Sequence, residues 1–171
     1  MRGAGTLPKV PAADAVLGPG LYNAFMRRIL LLLLFLSIGA AHAADTIEVW
    51  KDPSCGCCKA WIDHLKASGF AVRAHDVSDI DAARAKNGVP RQLGSCHTAR
   101  VAGYALEGHV PASDIRRLLK ERPPQAAGLA VPGMPAGSPG MEMGEAKDPY
   151  DVILFRKDGG TSAWNSYNQR R

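Results

Sequence analysis

Cysteines stand at positions 55, 57 and 58, and the fourth and last is Cys96. Such crowding restricts what this part of the chain can be. A disulfide framework spreads its cysteines, because the stabilisation from a bridge grows with the loop it closes. Three thiols within one turn close almost nothing, so the cluster points to chemistry rather than scaffolding. Its surroundings say where it sits. Thr46–Lys51 (TIEVWK) alternates and is β-branched, the pattern of a strand. Pro53 and Gly56 break it, and Cys58, Trp61, Ile62 and Leu65 then recur at helical spacing. The thiols are therefore expected at a helix N-terminus, where unpaired N–H groups and the helix dipole favour thiolate.

The pattern continues downstream. Gly69 ends the first helix, and Phe70–Val77 reads as a second strand. Ser78, with Asp81 three residues on, is expected to cap a short helix that stops at Asn87-Gly88. A loop then leads to Cys96-His97. Thr98–Val110 splits at Ala102-Gly103 into a hairpin, and Pro111–Arg122 puts Ile115, Leu118 and Leu119 on one helical face. The expected class is α/β, in the order β-α-β-α-β-β-α, with residues 44–125 as the core. Over 126–149 Gly, Pro and Met dominate and periodicity vanishes, so a loop or extended arm is expected. Residues 150–171 return as a strand, an Asp-Gly-Gly turn and a partner strand with a tail. Trp50 and Trp61 are expected in the core.

The N-terminal segment is read differently. Arg27-Arg28, the apolar run ILLLLLFLSIGAA and the small residues of Ala41-His42-Ala43 make residues 26–43 a secretory signal peptide. The run falls short of the roughly 20 apolar residues a membrane span needs. Cleavage near Ala43 implies an exported, periplasmic protein with no membrane attachment afterwards. Residues 1–25 precede a complete signal with its own methionine and read as a non-native extension. The leader takes four of the 21 Lys and Arg and one of the 16 acids, so the formal +5 falls to +2 in the mature chain. That is too weak a balance for nucleic acid, and there is no basic stripe with interleaved aromatics.

Cys55 and Cys58 form a C-x-x-C pair, which can close a disulfide or bind a metal jointly. Cys57 between them is the odd feature, since adjacent cysteines do not readily face one tetrahedral ion. Structural zinc usually takes two separated pairs, so zinc is the less favoured metal. Neighbouring sulfurs can bridge several ions, which suits copper(I), a soft ion content with two or three thiolates. A polynuclear copper(I) site of Cys55, Cys57, Cys58 and Cys96 is the leading expectation, with protons released as metal enters.

A strand, a C-x-x-C at a helix start and then β-α-β-β-α resembles the thioredoxin-like fold. That resemblance implies that the loop carrying Cys96 and His97 faces Cys55, Cys57 and Cys58. Cys57 stands where thioredoxins often have proline, and Ser54 where they often have tryptophan. KDPSCGCCKAWIDHL, SCHTA, GYALEGHVPASDI and GLAVPGMPAGSPGMEMG together resemble the CopG-type exported metal-binding proteins associated with bacterial copper resistance, which are unrelated to the repressors of that name. The resemblance spans about Glu48–Phe155. It implies a small exported domain that holds copper through its cysteines, with copper ions and other exported copper-handling proteins as partners.

Further ligand candidates follow from chemistry. His97 beside Cys96 can ligate, orient a thiol or take a proton. His109, at a strand end, is a ligand or supporting candidate. Met134, Met141 and Met143 offer thioethers to copper(I) or pack as flexible filler. His64 and His75 read as surface residues. Two other functions stay open: a thiol–disulfide oxidoreductase using Cys55 and Cys58, and a structural role with Cys55–Cys58 and Cys57–Cys96 bridges. Four cysteines allow three pairings, and sequence does not choose among them.

Overall fold

The computed structural model describes residues 45–169, so the expected signal peptide and the extension before it lie outside the described residues. Strand β1 (Ile47–Lys51) buries every second side chain, Ile47 and Val49 among them. Helix α1 (Gly56–Ala67) buries Cys58, Trp61, Ile62 and Leu65, the face its spacing predicts. Strand β2 (Val72–Asp76), helix α2 (Ile80–Lys86), a 3-10 turn at Arg91–Leu93, strands β3 (His97–Val101) and β4 (Tyr104–Glu107) and helix α3 (Ala112–Glu121) follow in the expected order.

The chain then departs from expectation. Residues 126–130 belong to the predicted arm, yet Ala126–Ala130 is strand β5, paired in parallel with β4. Its composition hides it. Gly128 runs so close to β4 that a Cβ there would collide with the Ala105 carbonyl oxygen. A strand that must approach this closely is built from Ala and Gly, which read as loop in isolation. Strands β6 (Tyr150–Arg156) and β7 (Thr161–Tyr167) complete the fold as a C-terminal hairpin.

All seven strands share one sheet in the order β2-β1-β3-β4-β5-β6-β7. β1 runs parallel to β2 and antiparallel to β3, and β3 and β4 form a hairpin. Its turn residues, Ala102 (φ 48°) and Gly103 (φ 88°), are both left-handed, as a two-residue turn matched to strand twist requires.

Trp61, Leu65, Ile115 and Leu118 from the helices meet Ile47, Val49, Leu106, Leu129 and Val152 of the sheet. Burying each such side chain contributes about 1.5–3 kcal/mol. Trp61 also donates its indole N–H to the Val110 carbonyl at 2.9 Å, which satisfies its one polar atom. A smaller cluster holds Val89, Leu93, Ala105, Ala130 and Phe155.

Two local expectations change. The cap of α2 is Asp79 rather than Ser78: Asp79 Oδ1 accepts the Ala82 N–H at 2.8 Å, and Asp81 sits inside the first turn. A carboxylate at the helix start satisfies an orphan donor and meets the dipole. Trp50 alternates to the other side of β1, is only half-buried, and stacks on His75 with ring centroids 5.5 Å apart. No helix of the described residues is long and apolar enough to cross a membrane.

Candidate metal centre

The turn between β1 and α1 is fixed before any cysteine is reached. The Asp52 carbonyl accepts both the Cys55 N–H and the Lys51 ammonium, each at 3.1 Å, and Lys51 is paired with Asp76 at 2.7 Å. The Asp52 carboxylate accepts the Ser54 N–H at 2.8 Å. Cys55 then serves as the cap of α1, its sulfur accepting the Cys58 N–H at 3.3 Å.

Cys55 and Cys58 are joined as a disulfide, while Cys57 and Cys96 are free thiols. Cys57 Sγ lies 3.5 Å from Cys55 Sγ and 3.8 Å from Cys96 Sγ. All four sulfurs lie within 4.8 Å of one another. Cys58 is buried and the other three are half-buried. Burial, and then the neighbouring Cys57, push the Cys96 thiol up to about 12. A bare Cys96 is thus protonated at neutral pH, and an incoming metal must displace that proton.

Two imidazoles stand on the far side of Cys96. His97 and His109 are fully buried, with ring centroids 5.0 Å apart. His97 packs on Trp61 at 4.3 Å and points Nδ1 at Cys96 Sγ, 3.3 Å away; its Nε2 has no partner among the described residues. Burial, and then His109, hold its pKa down to about 3. His109 Nε2 is 3.1 Å from Cys96 Sγ, and its Nδ1 donates to the Pro139 carbonyl at 2.8 Å. Burial lowers its pKa as well. Both rings are therefore neutral at physiological pH, the state in which imidazole binds a metal. Cys96, His97 and His109 form a second group with donor atoms within 4.8 Å of one another.

The loop before Cys96 is held by a buried ion pair that sequence reasoning missed. Arg84 Nε donates to Glu107 Oε1 at 2.8 Å, and that same oxygen accepts the Ser95 N–H at 2.7 Å. Arg84 Nη2 donates to the Ser95 carbonyl at 2.6 Å. Both sides of the residue next to Cys96 are gripped by one pair. Charged residues on a short helix and at a strand end carry no local sign of this; the signal lies in the pairing of α2 with β4.

The arm is held at the site over part of its length. Pro139 orients His109, and a Cβ on Gly140 would lie 2.6 Å from the Trp61 backbone nitrogen and 2.9 Å from the Cys57 carbonyl oxygen. Met141 follows directly and is half-buried. Met134 and Met143 are 53% and 69% exposed, so neither packs as core filler. His64 is half-buried, its Nε2 accepting the Ala112 N–H at 3.3 Å, and His75 contacts Glu48 at 2.5 Å. Neither belongs to the cluster.

Residues 93–141 match the family described as "Protein of unknown function, DUF411". No curated protein sequence matches the chain. A solved structure described as "Copper resistance protein copG- Form 2" is similar with TM-score 0.69 and 46% identity, over 72% of this chain and 98% of that one. Another, "Copper resistance protein copG- Form 1", is similar with TM-score 0.68 and 47% identity over the same shares. At that identity and coverage, the chain belongs to the CopG-type copper resistance protein family.

Proposed function

We propose that this protein is an exported copper(I)-binding protein that sequesters copper or hands it on. The observation that carries the reading is the convergence of four sulfurs within 4.8 Å, flanked by two buried neutral imidazoles. Sulfur-rich donor sets select soft ions. Cys57 supplies what a lone C-x-x-C lacks, a sulfur that faces both the pair and Cys96, so that several copper(I) ions can be bridged. The relatives described as copper resistance proteins support copper as the ion. Export rests on the signal peptide read at residues 26–43, with cleavage near Ala43. Met141 follows the strap, the Pro139–Gly140 stretch that packs against His109 and α1, and with the exposed Met134 and Met143 it would offer thioethers to copper(I) in this reading.

The disulfide between Cys55 and Cys58 favours a second reading, a thiol–disulfide oxidoreductase using that pair. One experiment separates the two. The fully reduced mature chain is titrated anaerobically with copper(I) against a chromophoric chelator, with thiols counted in parallel. Several copper ions per chain are expected. A reduced protein that binds no copper, yet exchanges a model disulfide, would establish the second reading instead.

A further inference from the structure

The sulfur cluster and the histidine pair meet at one atom, Cys96 Sγ. Cys57 Sγ lies on one side of it at 3.8 Å; His109 Nε2 and His97 Nδ1 lie on the other at 3.1 Å and 3.3 Å. The two donor groups share Cys96 alone. Closing the Cys55–Cys58 disulfide takes two donors from the first group and none from the second.

We propose that Cys96, His97 and His109 form a copper(I) position of their own, which the protein keeps when the disulfide is closed. The proposal rests on the copper reading above and divides that site into two lobes. Hydrogen-bond accounting supports it. The Pro139 carbonyl can only accept, so His109 Nδ1 carries the proton and Nε2 presents its lone pair to Cys96. A second bond from the far ring nitrogen to a carbonyl is the usual way a metal-binding histidine is held. Cys96 has one S–H to give and two ring nitrogens facing it, and His97 Nε2 is buried without a partner among the described residues.

Distances and charge agree with a small monovalent ion. Metal bonds of about 2.3 Å to sulfur and 2.0 Å to nitrogen put those donors about 3.7 Å apart in a three-coordinate site. The observed separations need to open by only about half an ångström to reach that. Copper(I) replacing the Cys96 proton leaves the trio uncharged. A divalent ion would leave net positive charge beside two fully buried rings, at a large desolvation cost.

The test uses the mature protein with its disulfide closed, verified by two free thiols before and after anaerobic copper(I) titration. One copper ion per chain is expected. Cys57→Ser in the same disulfide form should retain it, and His109→Ala and Cys96→Ser should each lose it, with tryptophan fluorescence confirming a folded chain. If His109→Ala does not fold, His97→Gln takes its place and should weaken binding at least tenfold. The inference fails if the disulfide form binds no copper, if binding survives loss of His109 (or of His97, where that variant stands in), or if Cys57→Ser abolishes it. The fully reduced protein is the reference: several ions there with none in the disulfide form defeats this inference alone, whereas none in either form defeats the copper reading itself.

Discussion

Cys96 and His109 stand opposite each other at the open end of the β3–β4 hairpin. The ladder pairs Thr98 with Glu107, and the Gly108 N–H bonds to the His97 carbonyl at 3.0 Å. The ladder ends there, Gly108 turning at φ 67°, and Cys96 and His109 follow on either side with Sγ and Nε2 3.1 Å apart. The hairpin brings the two segments together, and the Arg84–Glu107 pair on Ser95 and the Pro139 carbonyl on His109 then fix the thiol and the imidazole in place.

Cys57 is the position that separates the functional readings. Cys57→Ser in the reduced chain should lower the copper(I) stoichiometry by at least one ion while leaving Cys55 and Cys58 able to form their disulfide. Copper titration with parallel thiol counting reads both. Unchanged copper binding would remove Cys57 from the site.

The buried histidines make the metal-free protein acid-sensitive. His97 has a folded pKa of about 3 against an ordinary 6.5, lowered by burial and then by His109. Between those values the unfolded chain takes up the proton and the folded chain does not. Stability from this group is therefore complete above about pH 6.5 and is lost as pH falls toward 3, a change of about 5 kcal/mol. His109 and His64, also lowered by burial, act in the same direction. Denaturant midpoints should fall across that window, and His97→Gln should flatten the fall.

Arg84 and Glu107 are expected to matter twice. Arg84→Ala leaves Glu107 fully buried without its cation, a loss of about 3–5 kcal/mol. It also frees the Ser95 carbonyl. Thermal denaturation should show the first effect. A weaker copper(I) affinity, measured well below the melting temperature, should show the second.

Gly140→Ala probes the strap without touching a ligand. Gly140 has φ 84° and packs on the backbone of α1, so a methyl group cannot be accommodated in place. A loss of about 1–3 kcal/mol is expected. Because the neighbouring Pro139 carbonyl should shift away from His109, copper(I) dissociation should quicken. An unchanged dissociation rate would mean that the strap does not hold His109.

Much of the fold was legible from periodicity. The buried face of α1, the split at Ala102-Gly103 and the C-terminal hairpin all followed from apolar spacing and turn residues. Strand β5 was not, because Ala126–Ala130 gains its stability from ladder pairing that its small side chains permit rather than from any intrinsic preference. At the site, the cysteines announced themselves by crowding. His109 could have been placed by counting outward from the turn, since the register that pairs Thr98 with Glu107 ends just short of it. Arg84, Glu107 and Pro139 had no such route, since their roles depend on contacts between elements distant in sequence.

The β3–β4 hairpin acts as a ruler whose zero mark lies at Ala102-Gly103. Turn and donors sit at opposite ends, so residues added symmetrically at the turn leave the separation of Cys96 from His109 unchanged. Removing a single residue within either strand shifts the scale by one division and rotates one donor to the other face of the sheet. In this lineage, variation in length should therefore gather at the tip of the hairpin, and the count of residues from each donor to its paired neighbour should be far less free.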